Sequence, residues 1–481
     1  MTLIWADHED GVPGGRAAPV SSGLRKSIGP FQFFALAIGV IIGSAWVVLI
    51  GDLLELGGPG GAILGFAIGG VVMLLVAAAY AELAAAIPVA GGEFIFAFKL
   101  FGRGAGFVVG WFLTLYLVAS TAFEAIALAA ILKTLLPALE GPTLYVCLGH
   151  SVTAGGVGIG LAGAALVTFM NYRDVRLAVG FQSVVTYGFL IVAFAVVIVG
   201  ISLGHAVNLQ PLFIRSHGRA PWFGALSIFA TSAYFLTGFQ AVPQAIEERA
   251  EGVSARTVFR VMVSSVALAA LFLCLVVLGV GMAAPWQSTA GQAMTTAAAL
   301  SSLRPGRFLA LVVLIAAAAS LLKTWNALAL MAGRLFMAQA RENLLPAWLA
   351  AIHPAYQTPA RASLLVGALT VAGVMLGRGA LLPIVDMGSL CLAGTFVLGF
   401  LEVLKLRRSG VRGSRGARLP GGGWAIGVGL AGSAVMAAFS LAEPVISGNG
   451  GLPIEWILLI AWALIGALVF RSLAPAADTR G

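Results

Sequence analysis

Charged side chains are scarce in this sequence of 481 residues. Asp, Glu, Lys and Arg make up 10% of it, whereas about 25% is usual in a soluble domain. So little charge excludes a soluble globule, whose surface needs many polar groups. Hydrophobic residues account for 60% of the chain and the mean hydropathy is +1.01, which excludes an intrinsically disordered chain. The composition predicts a protein that crosses a membrane many times.

Cysteines and metal-binding motifs are also scarce. The three cysteines, Cys147, Cys274 and Cys391, lie far apart without a CxxC pair, so neither a disulfide framework nor a zinc site is expected. The five histidines fall in predicted tails and loops, and there is no Walker loop, dinucleotide-binding glycine motif or HExxH motif. We therefore predict no metal site, no cofactor and no enzymatic activity. The N-terminal segment lacks the apolar stretch of a cleavable signal peptide.

What the sequence does contain is a series of apolar runs of about 20 residues, the length of a membrane-spanning helix. Helices are expected because lipid offers backbone amides no hydrogen-bond partners. The fold class is therefore an all-α polytopic membrane protein, and its twelve predicted spans are 30–52, 60–86, 104–136, 153–171, 179–203, 222–246, 257–283, 305–338, 360–377, 380–404, 424–442 and 454–472.

The distribution of positive charge predicts the orientation of these spans. Of 28 Lys and Arg residues, 21 fall in segments that are cytoplasmic if the N-terminus is inside, six fall in outer loops, and Lys323 lies within a span. This bias places both termini in the cytoplasm of a cell-membrane protein. The net charge of +9 is therefore attributed to topology and contact with the lipid bilayer rather than to nucleic acid, and no obligate protein partner is evident.

Two spans carry residues that interrupt a helix. Span 1 contains Gly39 and Gly43 in the stretch GVIIGSAWVV, and span 6 contains Gly238 followed by Pro243. Such residues pack helices closely, or they unwind a helix so that freed backbone groups bind a substrate. Because spans 1 and 6 each open a group of five, we predict a 5+5 inverted repeat with broken helices 1 and 6 and two additional C-terminal helices.

This architecture divides the chain into six parts. The predicted parts are a cytoplasmic tail (1–27), a first five-helix repeat (28–204), a second repeat (205–404), a basic cytoplasmic loop (405–423), helices 11 and 12 (424–472) and a second cytoplasmic tail (473–481).

Four stretches in order resemble the amino acid–polyamine–organocation superfamily of permeases. They are GVIIGSAW in span 1, YAELAAAIPVAGGEFIF at Tyr80 to Phe96, GFQAVPQAIEE at Gly238 to Glu248, and GRLFMAQARENLLPAWLAAIHPAYQTP at Gly333 to Pro359. The resemblance implies that the substrate carboxylate meets amides and a hydroxyl at Gly43, Ser44 and Ala45. It also implies that the substrate ammonium meets carbonyls around Ile41, Tyr234 and Thr237.

The same resemblance gives other residues a role. Tyr234 falls where the family places an aromatic gate over the substrate. Ala45 replaces a glycine that is usual in the span 1 motif and is followed by the bulky Trp46, and both residues narrow the expected pocket. Gln240 stands where many members carry an acid, so a carboxylate proton switch is absent there.

Two charges lie within predicted spans, Glu124 in span 3 and Lys323 in span 8. Intramembrane charges usually face the bundle interior and mark function. Glu124 is predicted to contribute to substrate binding. Both charged residues, together with Tyr234, are predicted to contribute to coupling or gating. The alternative is a purely structural ion pair between Glu124 and Lys323. Five further charges at predicted cytoplasmic helix ends are expected to be solvated or ion-paired: Glu82, Glu247, Glu248, Arg334 and Glu402.

These features predict a secondary active transporter of amino acids that works by alternating access. A permease for polyamines or other organic amines is the alternative, using Glu124, Trp46 and Tyr234 in place of the carboxylate site. A membrane enzyme or a channel is less well supported, since no intramembrane histidine and no pore ring is seen. In sodium-coupled relatives of this fold, span 8 holds a cation against span 1. Because Lys323 lies near that place, transport is predicted to be sodium-independent and driven by protons or exchange.

Overall fold

The computed structural model describes residues 24–215, 220, 222–292, 294–304, 306–410, 416–447 and 453–473. Most of the two predicted tails and residues 411–415 of the basic loop therefore lie outside the described residues. The α-helices are α1 (Pro30–Ile41), α2 (Ala45–Val48), α3 (Ile50–Ala86), α4 (Glu93–Phe101), α5 (Arg103–Leu135), α6 (Ala154–Arg173), α7 (Val175–Leu203), α8 (Trp222–Phe235), α9 (Ala241–Gln244), α10 (Ala255–Ala283), α11 (Trp286–Thr289), α12 (Thr295–Ser301), α13 (Gly306–Arg341), α14 (Ala360–Val374), α15 (Leu381–Arg408), α16 (Gly422–Ser447) and α17 (Ile454–Ser472).

Short elements connect these helices. An antiparallel hairpin of β1 (Thr143–Cys147) and β2 (His150–Thr153) lies between α5 and α6. The described 3₁₀ turns are Pro137–Leu139, Ala206–Leu209, Ile246–Glu248, Ala347–Ala350 and Arg378–Ala380.

Ten candidate spans in the described chain are long and apolar enough to cross a membrane. Two shorter apolar helices, α8 and α14, occupy the places of predicted spans 6 and 9. The helix of span 6 is short because its backbone leaves the helical conformation after Phe235 and resumes it at Ala241. The all-helical membrane fold is thus confirmed, whereas the count of twelve spans and the inverted repeat stay predictions.

The end of span 1 and all of span 2 form a single kinked helix, α3. Its kink is at Gly58, whose backbone has φ 68° and ψ 172°, followed by Pro59. A Cβ atom at Gly58 would lie 2.7 Å from the carbonyl oxygen of Leu212, so both the positive φ and the close approach favour glycine.

Close packing places the interrupted helices in the middle of the bundle. Helix α3 packs along α8 and α10, α13 packs along α5 and α7, and α1 contacts α7, α10 and α13. Glycines permit some of these contacts: a Cβ at Gly65 would lie 2.8 Å from Ile228, and one at Gly69 2.7 Å from Ser232. Helix α17 is peripheral, with Gly466 as its buried residue.

Candidate functional site

The first helix is interrupted at Ile42–Ser44. The last α1-type hydrogen bond runs from the Ile42 amide to the Ile38 carbonyl, and Ile42 itself leaves the helix with φ −88° and ψ 69°. The amides of Gly43 and Ser44 have no hydrogen-bond partner in the described chain. Helix α2 then begins at Ala45. The interruption lies within the predicted stretch Gly39–Trp46 and leaves two adjacent N–H groups free, as an anion site requires.

The second interruption lies between Phe235 and Ala241. Gly238 adopts φ 139°, and the side chain of Gln240 forms hydrogen bonds with two residues inside the break. Its Oε1 accepts from the Gly238 amide at 2.7 Å, and its Nε2 donates to Thr237 Oγ1 at 2.6 Å. The amide side chain at position 240 therefore stabilises the break locally, a role that the sequence analysis did not assign.

The second interruption contacts the end of α1, next to the first interruption. A Cβ atom built on Gly238 would lie 2.7 Å from the Ile41 amide nitrogen and 2.7 Å from Val40 Cβ. Only glycine fits there, because both the conformation and the contact exclude a side chain. The contact brings the carbonyl-bearing end of α1 beside the unwound segment that follows Tyr234.

Lys323 is fully buried and is bound to the broken end of α1. Its ammonium donates to the carbonyl of Gly39, to that of Ile42 at 3.0 Å and to Thr324 Oγ1 at 3.3 Å. The nitrogen also lies 5.1 Å from the ring centre of Phe189. An ammonium has three donors, and here each has an oxygen acceptor. The positive charge thus compensates carbonyls that a continuous helix would have satisfied.

Hydroxyl groups complete the attachment of helix 1 to α13. Thr324 Oγ1 donates to the Gly39 carbonyl at 3.2 Å, and Ser44 Oγ donates to the Ala317 carbonyl at 2.8 Å. Ser44 is 1% exposed. The hydroxyl of Ser44, which was expected to meet a substrate, therefore holds the break against α13 in this conformation, and only its amide is free.

Glu124 and Lys323 do not form an ion pair. Glu124 is buried on α5, but no salt bridge within 4.0 Å joins it to Lys323, and Glu124 Oε2 has no hydrogen-bond partner in the described chain. The alternative of a structural pair is therefore wrong for this conformation. A buried carboxylate oxygen without a partner is costly, so it is a candidate for contacting a ligand.

Aromatic rings surround Tyr234 on the side of Glu124. Tyr116 and Phe123 of α5 lie 6.1 and 6.2 Å from Tyr234 between ring centres, with edge-on geometry. A Cβ atom on Gly388 of α15 would lie 2.9 Å from the Tyr234 ring and 3.3 Å from that of Tyr116. These contacts hold Tyr234 between α5 and α15, next to the break in the second helix.

Trp46 belongs to a different aromatic cluster. Its ring packs on Phe189 of α7 at 6.2 Å and on Phe272 of α10 at 5.5 Å, and it is 3% exposed. The ring contacts of Trp46 and those of Tyr234 share no residue in the described chain. The ring of Trp46 packs toward α7 and α10, and its role in narrowing the pocket stays a prediction.

Ion pairs join the segments at the predicted cytoplasmic end. Arg334 and Glu248 are each 1% exposed and lie 2.6 Å apart. The other two pairs are Arg341 with Glu247 at 3.0 Å and Arg407 with Glu82 at 2.7 Å. The prediction of ion pairing is confirmed for four of the five charges. It is wrong for Glu402, which is 2% exposed and has no ion pair in the described chain.

A family model described as amino acid permease matches residues 28–468. The chain belongs to the amino acid permease family. The permease is 24% identical over 463 residues to the methylthioribose transporter of Bacillus subtilis, a match that covers 94% of both chains. It is 29% identical over 388 residues to the branched-chain amino acid permease BcaP of Lactococcus lactis, covering 78% of this chain and 81% of the other.

A shorter match relates the permease to a mammalian transporter. Over 230 residues it is 30% identical to the Asc-type amino acid transporter 1 of Mus musculus, covering 47% of this chain and 42% of the other. The resemblance drawn from the four sequence stretches is thereby confirmed, and the permease is a multi-pass membrane protein of a transporter family that handles small molecules.

Two polar residues near the first break escaped the sequence analysis as functional candidates. Gln182 of α7 is fully buried, and neither its Oε1 nor its Nε2 has a partner in the described chain. It faces the Cα of Gly39 together with Thr186. A glutamine in an otherwise apolar span was the available signal, but its depth and direction depend on how α7 packs against α1.

Proposed function

We propose that this permease is a secondary active transporter of amino acids that works by alternating access in a cell membrane, with both termini cytoplasmic. The proposal includes twelve spans in a 5+5 inverted repeat with two additional helices. The observation that carries it is the contact between two interrupted helices, at Gly238 and Ile41. Interrupted helices at the centre of a bundle are typical of a transport site, and the names of the relatives support an amino acid as substrate.

The proposed substrate site lies at these two breaks. The free amides of Gly43 and Ser44, with that of Ala45, bind the α-carboxylate, and carbonyls around Ile41, Tyr234 and Thr237 bind the ammonium. Support comes from the missing hydrogen bonds of the first two amides and from the proximity of the two segments. Tyr234 closes the site from the side of α5. Trp46, which packs on Phe189 and Phe272 next to the first break, is proposed to border this site.

Lys323 is proposed to replace a bound cation. Two carbonyls of the broken helix and one hydroxyl, oxygen ligands that suit a hard cation, already bind its ammonium. Transport then needs no sodium. A lysine can also release its proton, so coupling to protons or exchange of one amino acid for another is proposed.

Glu124 is proposed to contact the substrate side chain and to contribute to substrate selectivity. Its Oε2 is buried without a partner in the described chain and Lys323 is occupied elsewhere, so a second amine on the substrate would meet an available carboxylate. This observation keeps the polyamine alternative open. The branched-chain amino acid named for the relative from Lactococcus lactis instead favours an apolar side chain, for which Glu124 must be neutral.

Replacement of Gly43 by leucine tests the site. A Cβ there would lie 3.4 Å from Thr324 Oγ1, so a longer side chain fills the space beside the free amides. We expect Gly43→Leu to abolish amino acid uptake into proteoliposomes while the protein is still produced. Gly188→Leu is the matched control, because a Cβ at Gly188 meets no atom within 4 Å. Normal uptake by Gly43→Leu would exclude this location.

A further inference from the structure

Two buried acids, Glu93 and Glu402, lie near the predicted cytoplasmic end. Glu93 begins α4 and is 3% exposed, and Glu402 lies on α15 and is 2% exposed. The charge of Glu93 acts on Glu402, and both act on Tyr80 of α3. Neither acid forms a salt bridge in the described chain. Two ionised carboxylates buried together are strongly disfavoured.

No Lys or Arg side chain that the structure describes is paired with Glu93. The arginines of α13 at this end, Arg334 and Arg341, are paired with Glu248 and Glu247. The titratable groups that act on or feel Glu93 from neighbouring helices are Tyr80 of α3, Tyr116 of α5 and Glu402 of α15. Burial raises the pKa of Glu93 to about 7.

Gln244 of α9 faces Glu93 with its amide group. Its Nε2 lies 3.3 Å from Glu93 Oε2, while its Oε1 is buried without a partner in the described chain. Gln244 itself is 1% exposed. A protonated carboxyl group has one O–H donor and one acceptor oxygen, so Glu93 could donate to Gln244 Oε1 while it accepts from Gln244 Nε2. The orphaned oxygen therefore has a natural partner once Glu93 carries a proton.

The glycine pair before Glu93 places it close to α13 and α9. Gly91 and Gly92 have φ 119° and 52°. A Cβ on Gly92 would lie 2.8 Å from Gln244 Nε2, and one on Gly91 2.8 Å from the Cβ of Ala338 on α13. Glu93 is thus clamped between α13 and α9, and α9 is the segment that continues the second interrupted helix.

We propose that Glu93 is a proton-binding site, that it carries one proton while α4 is docked on α9, and that loss of this proton to water releases α9. The Glu93 O–H bond breaks, its electron pair stays on the carboxylate and the proton leaves with water at the predicted cytoplasmic face. The docked state holds more protons than the open state, so raising the pH favours opening. This inference rests on the proposed transport function and adds a proton site to it besides Lys323.

Infrared spectroscopy of the purified permease in liposomes tests the proposal directly. The carbonyl stretch of a protonated carboxylic acid is followed as the pH is raised from 5 to 9, and the Glu93→Gln spectrum is subtracted. We expect a band in the wild type that disappears with a midpoint near pH 7 and is missing in Glu93→Gln. Glu402→Gln should keep this band and its midpoint, because the band belongs to Glu93. The matched control is Glu342→Gln, whose acid is partly exposed and bonded to Lys99 at 3.0 Å.

Two results would overturn the proposal: an identical titrating band in Glu93→Gln and wild type, or loss of the titrating band in Glu402→Gln. If Glu93→Gln is not produced, the wild-type and Glu402→Gln titrations decide. Counterflow of labelled amino acid separates this inference from the transport function. We expect Glu93→Gln to retain counterflow and lose acceleration by a pH gradient. A wild type without any counterflow contradicts the proposed function, whereas the spectra judge the proton site alone.

Discussion

Replacing Lys323 with serine should create a dependence on sodium. The lysine ammonium is bound by the carbonyls of Gly39 and Ile42 and by Thr324 Oγ1. Serine removes the charge and vacates the space of a long side chain, while its own hydroxyl adds one oxygen. Two carbonyl oxygens and two hydroxyl oxygens would then be available to bind a sodium ion, which prefers oxygen ligands.

The size of the effect follows from the hydrogen bonds that are lost. Without the ammonium, the Gly39 carbonyl keeps its bond from Thr324 Oγ1 at 3.2 Å, whereas the Ile42 carbonyl loses the ammonium donor. One buried polar group left unsatisfied costs about 1–3 kcal/mol. A change of that size shifts a conformational equilibrium by about 5- to 150-fold. We therefore expect uptake to fall about tenfold or more in choline buffer.

The assay compares uptake into proteoliposomes and thermal unfolding of the purified protein, each in sodium and in choline. Lys323→Ser should be less stable than wild type in choline and should recover part of its stability and uptake in sodium, whereas wild type should behave alike in both. Lys133→Ser is the control, because Lys133 forms a partly exposed pair with Glu140 at 2.9 Å, and such pairs contribute about 0–1 kcal/mol. Wild-type transport that collapses in choline would refute the reasoning.

Three other substitutions address the breaks, the closed end and the substrate. Gly238→Ala should abolish uptake, because its φ of 139° and the 2.7 Å approach to the Ile41 amide exclude a methyl group; uptake of labelled amino acid measures this. Arg334→Met should destabilise the protein by about 3–5 kcal/mol, since it leaves Glu248 buried and unpaired; chemical denaturation measures this. Glu124→Gln should weaken competition by substrates with a second amine by about tenfold while apolar amino acids compete as before, as a competition panel measures.

Matched variants keep these results interpretable. Gly180→Ala is the control for Gly238→Ala, since a Cβ at Gly180 meets no atom within 4 Å. The double variant Arg334→Met with Glu248→Met should recover stability relative to Arg334→Met, because the buried acid is removed with its partner. If all amino acids compete less well with Glu124→Gln, and to the same extent, then Glu124 affects substrate binding in general and does not distinguish side chains.

The sequence alone determined what depends on local backbone chemistry and on composition. Runs of apolar residues specify membrane helices wherever they reach the length of a bilayer, and ten of the spans follow from that rule. Glycine and proline disturb a helix whatever surrounds it, so the breaks near Gly43 and Gly238 could be placed within a few residues. The exchange of a usual acid for Gln240 was visible in the sequence, but its hydrogen bonds across the break were not.

Only the tertiary structure decided which partner each buried polar side chain has. A side chain in a span is placed by its depth, its direction around the helix and the neighbours it meets, and a single apolar sequence hardly encodes the last two. Lys323 was within reach of Glu124 by depth, yet the freed carbonyls of Gly39 and Ile42 bind it. Trp46 likewise packs toward α7 and α10, and Glu402 is buried without an ion pair in the described chain. Both outcomes follow from helix packing, which decides which side chains face each other.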